Sequence, residues 1–205
     1  QVNAIRTWSP TIGSNQAWYA TNAFYLVPQI AMVRSPASLY GDGTKSRMTV
    51  FTAPEALAAI ALSGRSAAAA HRQDPWVIAL NLGNEYSTVG RNGKKQYVYG
   101  GFDTQTKSAF RLRLAERFGD IGRLNRAFAT SFADFSGIEP SEGAAKNGLT
   151  YEWFLFLRAS FGSFMKAAYG GARDGDPTLP MTYARLLSRW DAACEDADLG
   201  FLELQ

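Results

Sequence analysis

WVIALNLGNEY, residues 76–86, is the stretch on which the reading of the whole chain turns. Trp76 to Leu82 is almost continuously apolar and of strand length, and it stops abruptly at Gly83-Asn84-Glu85. A strand with one wet face alternates apolar and polar residues, whereas an unbroken run is the pattern of a parallel strand covered on both faces. Upstream, residues 51–72 predict a helix, with Pro54 in the first turn, a long alanine-rich body and a weak point at Gly64. Earlier still, NAIRTW (3–8) and FYLVPQI (24–30) are short β-favouring runs with a helix or turn between them.

Downstream, residues 86–103 are rich in Gly, Ser, Thr, Asn and Tyr without a sustained period, and read as a long surface loop. Phe110, Leu114 and Phe118 then recur at helical spacing over 107–118, with Gly119 as the stop. A second short helix follows, with Asp120 as N-cap and Ile121, Leu124 and Phe128 on one side. Thr150 opens another, with Phe154, Leu157, Phe161 and Met165 as its apolar stripe and Gly170-Gly171 as its end. Two more strand-like runs, 180–184 and 199–205, bracket a helical segment.

Strand and helix thus alternate along the chain, which is the pattern of an α/β fold with a parallel sheet. A doubly wound sheet would carry a Gly-rich phosphate loop after an early strand, and none is present. An eight-stranded β/α barrel takes about 250 residues. A chain of 205 residues with five strands therefore fits an incomplete (β/α)8 TIM barrel that lacks its first strand and its last two, forming one partial barrel domain over 1–205. The opening residues already read as a strand, as in the middle of a larger fold.

Composition narrows the partners. With 21 Lys plus Arg against 18 Asp plus Glu, the net charge of +3 is spread along the chain, and no nucleic-acid partner is expected. No apolar stretch approaches the roughly 20 residues that span a bilayer, so no membrane partner is expected either. The single cysteine, Cys194, excludes an intramolecular disulfide and a multi-thiolate metal site.

Barrel enzymes carry their chemistry at the carboxyl ends of the strands. The residues at those ends are Arg6, Gln29, Asn84 with Glu85, Tyr183 with Arg185, and Glu203 with Gln205. A carboxyl group at a barrel mouth is partly desolvated, which raises its pKa towards the range where it donates a proton near neutrality. The neighbouring Asn84 amide is suited to a substrate hydroxyl. A strand-terminal Glu also serves as a plain cap, and an Arg such as Arg6 as a buried ion-pair partner. Trp8, Tyr86, Tyr97, Tyr99, Phe102 and Tyr183 offer aromatic faces for a ring substrate, or simply pack the loop. His71 reads as structural or exposed, Cys194 as a small buried or surface residue rather than a nucleophile, and Arg111, Arg113 and Arg117 as a charged helix face, solvated or bridged to Glu116 and its neighbours.

The stretch VIALNLGNEY resembles the fourth barrel strand of clan A glycoside hydrolases, which ends in an Asn-Glu pair. FRLRLAERFGDIGRLNRAFATSFADFSGIEP (110–140) is similar to the helix-turn-helix that follows that strand in family 42 β-galactosidases. Residues 151–185, ending in LPMTYAR, resemble the next helix and fifth strand, and NAIRTW resembles the second. The resemblance implies a retaining glycosidase acting on β-linked galactosides or related glycosides, with Glu85 as general acid/base, Asn84 on the hydroxyl next to the anomeric carbon and Arg6 supporting the nucleophile. It also implies an oligosaccharide or glycoside as partner, homo-oligomeric assembly, and a reaction that requires no metal or organic cofactor. Trp8, Tyr86 and Tyr183 are the expected substrate-binding residues. Retention needs a second carboxylate about 5 to 5.5 Å from the first. In this clan it ends the seventh strand, whereas Glu203 fits the sixth and is not assigned that role, so the nucleophile is expected beyond Gln205. A β-mannanase or β-glucanase of the same clan, and a non-catalytic carbohydrate-binding relative, are the alternatives.

Overall fold

The computed structural model describes residues 3–9, 16–33, 37–39, 43, 45–84, 86, 89–91, 97–99, 101–140 and 147–184. In chain order the elements are β1 (Ala4–Arg6), α1 (Gln16–Thr21), β2 (Tyr25–Val27), β3 (Ala37–Leu39), β4 (Lys45–Thr49), α2 (Pro54–Ala70), β5 (Leu80–Asn84), β6 (Val89–Arg91), β7 (Tyr97–Tyr99), α3 (Thr104–Phe118), α4 (Ile121–Phe128), a 3-10 turn at Phe135–Gly137, α5 (Gly148–Gly175) and β8 (Met181–Ala184). They form two compact units: Gln1–Val33, Leu57–Tyr86 and Gly162–Gln205 make the first, and Arg34–Ala56 with Ser87–Phe161 the second.

The first unit holds the parallel strands. β1 pairs with β2, and β5 with β8, both parallel. Single parallel bridges from Leu26 to Val77 and from Gln29 to Asn81 join β2 to the β5 segment. The Leu26 and Asn81 amides donate to the carbonyls of Trp76 (2.7 Å) and Pro28 (2.8 Å), and those of Ile78 and Ile30 donate back to Leu26 (3.1 Å) and Asn81 (2.9 Å). Each strand thus neighbours the next one in sequence, with a helix between, which is the topology of a (β/α)8 barrel traversed in order. The fold is an incomplete TIM barrel. Leu26, Val27, Ile30, Val77, Ala79, Leu80 and Leu82 are buried, whereas Ile78, inside the run expected to be covered on both faces, is 43% exposed. The fifth expected strand, 199–205, lies outside the described residues.

Helices α2 and α5 meet in this unit through their backbones. A Cβ on Gly64 would stand 2.5 Å from the Ala168 carbonyl oxygen, and one on Gly171 or Gly175 would overlap the carbonyl of Ala61 or Arg65. Gly64, read as a weak point, is therefore a contact residue. Gly170-Gly171, expected to end the helix, lies inside it, because Gly171 serves close approach and α5 runs on to Gly175. The exposed Arg65 and Asp174 form an ion pair across the same contact at 2.6 Å, which contributes little in water. His71, just past α2, is buried with its Nδ1 3.9 Å from the Asp74 carboxylate, a structural setting.

The second unit is centred on Phe102, Phe110, Leu114, Leu124, Ile138, Trp153 and Phe156. The Phe110 ring meets Trp153 edge-on at 4.9 Å. Helix α3 begins three residues before Lys107, because the buried Asp103 caps it: one carboxylate oxygen accepts the Thr106 amide and the other its hydroxyl, both at 2.8 Å. Gly119 stops α3, and Asp120 caps α4 by accepting the Arg123 amide at 2.9 Å, both as expected. Arg111 and Arg117 bridge to Glu139 and Glu152 rather than to Glu116. Phe154, placed in the apolar stripe, is 39% exposed, and Trp153 and Phe156 take the buried face instead. Two antiparallel pairs were not anticipated: β3 with β4, and β6 with β7 inside the stretch read as a loop. Among the described residues no helix is long and apolar enough to cross a membrane.

The helix contact yields a paired test. Gly171→Ala should destabilise the protein by about 1–3 kcal/mol through forced overlap. Gly170→Ala, with open space around its Cβ position, should stabilise it by about 0.5–1 kcal/mol. Urea unfolding midpoints measure both, and a shift in the same direction for the two variants would rule out backbone contact as the reason for Gly171.

Candidate active site

The carboxyl end of β5 is not a regular strand. Asn81 stands opposite Thr182 and Asn84 opposite Ala184, so β5 advances three residues where β8 advances two. That extra residue is a β-bulge, a device that re-aims the side chains beyond it. Gly83 supplies the backbone for it at φ +154°, where other residues are strained, and a Cβ there would overlap the Tyr86 ring. The Gly83 amide donates to the Asn81 side-chain oxygen at 3.2 Å. An amide N–H can only donate, so the oxygen of the Asn81 carboxamide must face it and its NH2 must face away. That NH2 donates to the Gln29 side-chain oxygen at 3.3 Å, and both side chains are buried.

Tyr86 packs its ring against Gly83. It is 5% exposed, its ring 5.4 Å edge-on to Phe164 and stacked at 6.3 Å on Tyr183. Burial pushes its hydroxyl above the ordinary tyrosine value, so the phenol stays protonated through the neutral range. Asn84 and Tyr183 are half-buried at the ends of β5 and β8. At the end of β1 the half-buried Arg6 guanidinium lies 4.8 Å from the ring centre of Trp8, whose face is open to solvent with 68% of the residue exposed. Phe102 belongs to the core of the second unit. Glu85, Arg185, Cys194, Glu203 and Gln205 lie outside the described residues. The structure thus gathers Asn84, Tyr86 and Tyr183 near the bulged end of β5, and Arg6 with Trp8 in a second pair. Asn81 was passed over in the sequence, although a carboxamide inside an otherwise apolar strand is the signal that marks it.

The approach to β8 is held by Asp176. Its carboxylate accepts the Thr178 hydroxyl at 2.7 Å and the amides of Thr178 and Leu179 at 2.8 and 3.3 Å. Arg173 donates to the Pro177 carbonyl at 2.5 Å, so the turn before Pro180 is tied from both sides.

With this geometry in place, the comparisons with other proteins carry weight. The sequence profile of glycoside hydrolase family 42, described as β-galactosidase, matches residues 17–201. The chain belongs to this family. The match includes Asn84, Glu85, Tyr86 and Tyr183, and begins after Arg6 and Trp8. Among solved structures, the cold-adapted β-galactosidase of Rahnella sp. R3 aligns with a TM-score of 0.66 at 18% identity, over 89% of this chain and 31% of that one. An exo-β-agarase aligns with the same TM-score at 14% identity, over 95% of this chain and 28% of the other. The β-galactosidase of Bacillus circulans sp. alkalophilus follows with 0.62 at 16% identity, over 83% and 28%. These likenesses establish the barrel fold, and the chain spans less than a third of the length of each of these three structures. No curated protein matches the chain.

Asp176 supplies a pH test. Its carboxyl is held below the usual carboxylate value, first by the Thr178 hydroxyl and then by the Thr178 amide. A depressed pKa in the folded state means that the contribution to stability is fully present above the unfolded value and is lost as pH falls through the folded one. Thermal unfolding should therefore show wild type more stable than Asp176→Asn by about 1 kcal/mol at neutral pH. That difference should stay flat down to about pH 5 and shrink on further acidification. A difference that grows in acid would contradict the assignment.

Proposed function

We propose that this chain is part of the catalytic barrel domain of a retaining glycosidase that cleaves β-linked galactosides or related glycosides. The observation that carries the reading is the bulged end of β5, which sets Asn84 at the carboxyl end of a parallel strand, where barrel enzymes keep their chemistry. Membership of family 42 supports the same reaction class.

In this reading Glu85 protonates the departing glycosidic oxygen as its bond to the anomeric carbon breaks. A second carboxylate, from a later strand, forms the covalent glycosyl intermediate, and Glu85 then takes the proton of the incoming water. Asn84 donates to the hydroxyl beside the anomeric carbon without adding charge. Arg6 keeps the nucleophile ionised, and Trp8 offers its open face to the apolar face of a sugar ring. Tyr183 and Tyr86 contact the sugar beside the bulged end of β5. The partner is an oligosaccharide or glycoside, in a homo-oligomeric enzyme. The equal fold likeness to an exo-β-agarase makes agarose-type chains the second reading of the substrate.

The test is turnover of the full-length protein. Glu85→Gln should lower kcat/KM on alkyl β-galactosides about 10²- to 10⁴-fold, because their leaving groups need a proton as the glycosyl intermediate forms. The loss in kcat/KM should be far smaller on dinitrophenyl β-galactoside, whose leaving group does not, while kcat on that substrate falls because the intermediate also loses its base for water. Full turnover of the alkyl substrate by Glu85→Gln would remove Glu85 from the role. Wild-type hydrolysis of agarose oligosaccharides in preference to simple galactosides would favour the second reading.

A further inference from the structure

We propose that Asn81 is a positioning residue for the acid/base group at the end of β5, acting through the bulged backbone at Gly83. The proposal rests on the reading of Glu85 given above. Asn81 lies inside the strand, fully buried, with no exposed surface from which to meet a substrate. Its side chain spends both of its functions on main-chain and strand alignment. The oxygen receives the Gly83 amide, and the NH2 reaches Gln29 beyond the neighbouring β2.

The consequence follows from strand geometry. Side chains alternate with a period of two, so one extra residue turns everything beyond it to the opposite face. Holding the bulge is therefore what decides which face the residues after Gly83 present. Gly83 and the Tyr86 ring leave no room for a Cβ, and Tyr86 is itself packed on Phe164 and Tyr183. Gly83 is thus held from two sides, by the Asn81 oxygen on its amide and by the Tyr86 ring where a Cβ would stand. Gln29 extends the link to the adjacent strand, so the direction of the β5 end is set by two strands and not by β5 alone.

Asn81→Ala in the full-length protein should lower kcat/KM on an alkyl β-galactoside about 10- to 100-fold, as expected for displacement of a catalytic group by up to about 1 Å. The loss in kcat/KM on dinitrophenyl β-galactoside should be clearly smaller. Asn81→Asp, which keeps an acceptor for the Gly83 amide, should recover most of the lost kcat/KM. A folded Asn81→Ala with unchanged kcat/KM, or with equal losses of kcat/KM on the two substrates, overturns the proposal. If Asn81→Ala does not fold, Gln29→Met decides, since it removes only the second bond of the Asn81 carboxamide: a loss dependent on the leaving group supports the proposal, and wild-type kinetics overturn it. Glu85→Gln run alongside separates the two levels. Full turnover of the alkyl substrate by that variant defeats the acid/base reading itself, whereas a disabled Glu85→Gln beside an unaffected Asn81→Ala defeats only the positioning role.

Discussion

A bulge inside a buried parallel sheet creates a backbone amide that the neighbouring strand no longer meets in register, and a buried amide left without an acceptor costs about 1–3 kcal/mol. In β5 the amide is that of Gly83 and the acceptor is the Asn81 side chain. Under the proposal above, the arrangement of the candidate site depends on this bond. Gly83 stands one residue before the end of β5, and its missing Cβ admits the Tyr86 ring, which in turn stacks against Tyr183 of β8. The cost of burying two carboxamides, Asn81 and Gln29, is offset because they bond to each other.

Much of the barrel was legible because its strands are covered on both faces. Continuous runs such as 76–82 and 24–30 have few alternatives once their length is strand-like, and the structure keeps Leu26, Ile30, Leu80 and Leu82 dry. Helix ends marked by local chemistry were equally readable, as at Asp120 and Gly119. The antiparallel pairs were not. β3, β6 and β7 are three residues long, and strands that short do not establish a period in a sequence of Gly, Ser and Lys. Glycines misled for a different reason. A Gly-Gly pair is a stop signal by local preference, yet Gly171 is needed where α5 touches the α2 backbone, and a contact between distant helices is invisible to any local rule.

The site divides along the same line. Arg6, Asn84, Glu85 and Tyr183 were named because strand ends can be counted from the apolar runs, and the structure sets Arg6, Asn84 and Tyr183 at the ends of β1, β5 and β8. Asn81 was not named, since its significance lies in a bond to a residue two places on and in another to Gln29, which is distant in sequence. Tyr86 was read for its ring face, and only the packing against Phe164 and Tyr183 shows what that ring touches.

The parallel ladder and the glycine contacts between helices also account for how the fold persists at 14–18% identity to β-galactosidases and an exo-β-agarase. Ladder hydrogen bonds use main-chain atoms, and a helix crossing set by glycine needs only small side chains on each side, so most positions are free to change while the strand ends stay where they are. Under the function proposed above, discrimination between sugars comes from groups that the ladder does not specify. Trp8 is such a group: it projects beyond β1 into solvent, bears on the Arg6 guanidinium, and precedes the segment that the family profile matches. Substitution there alters an exposed aromatic surface without touching the hydrogen bonds that hold β1 to β2, so in the proposed enzyme substrate preference can drift while the pairing of β5 with β8 is retained.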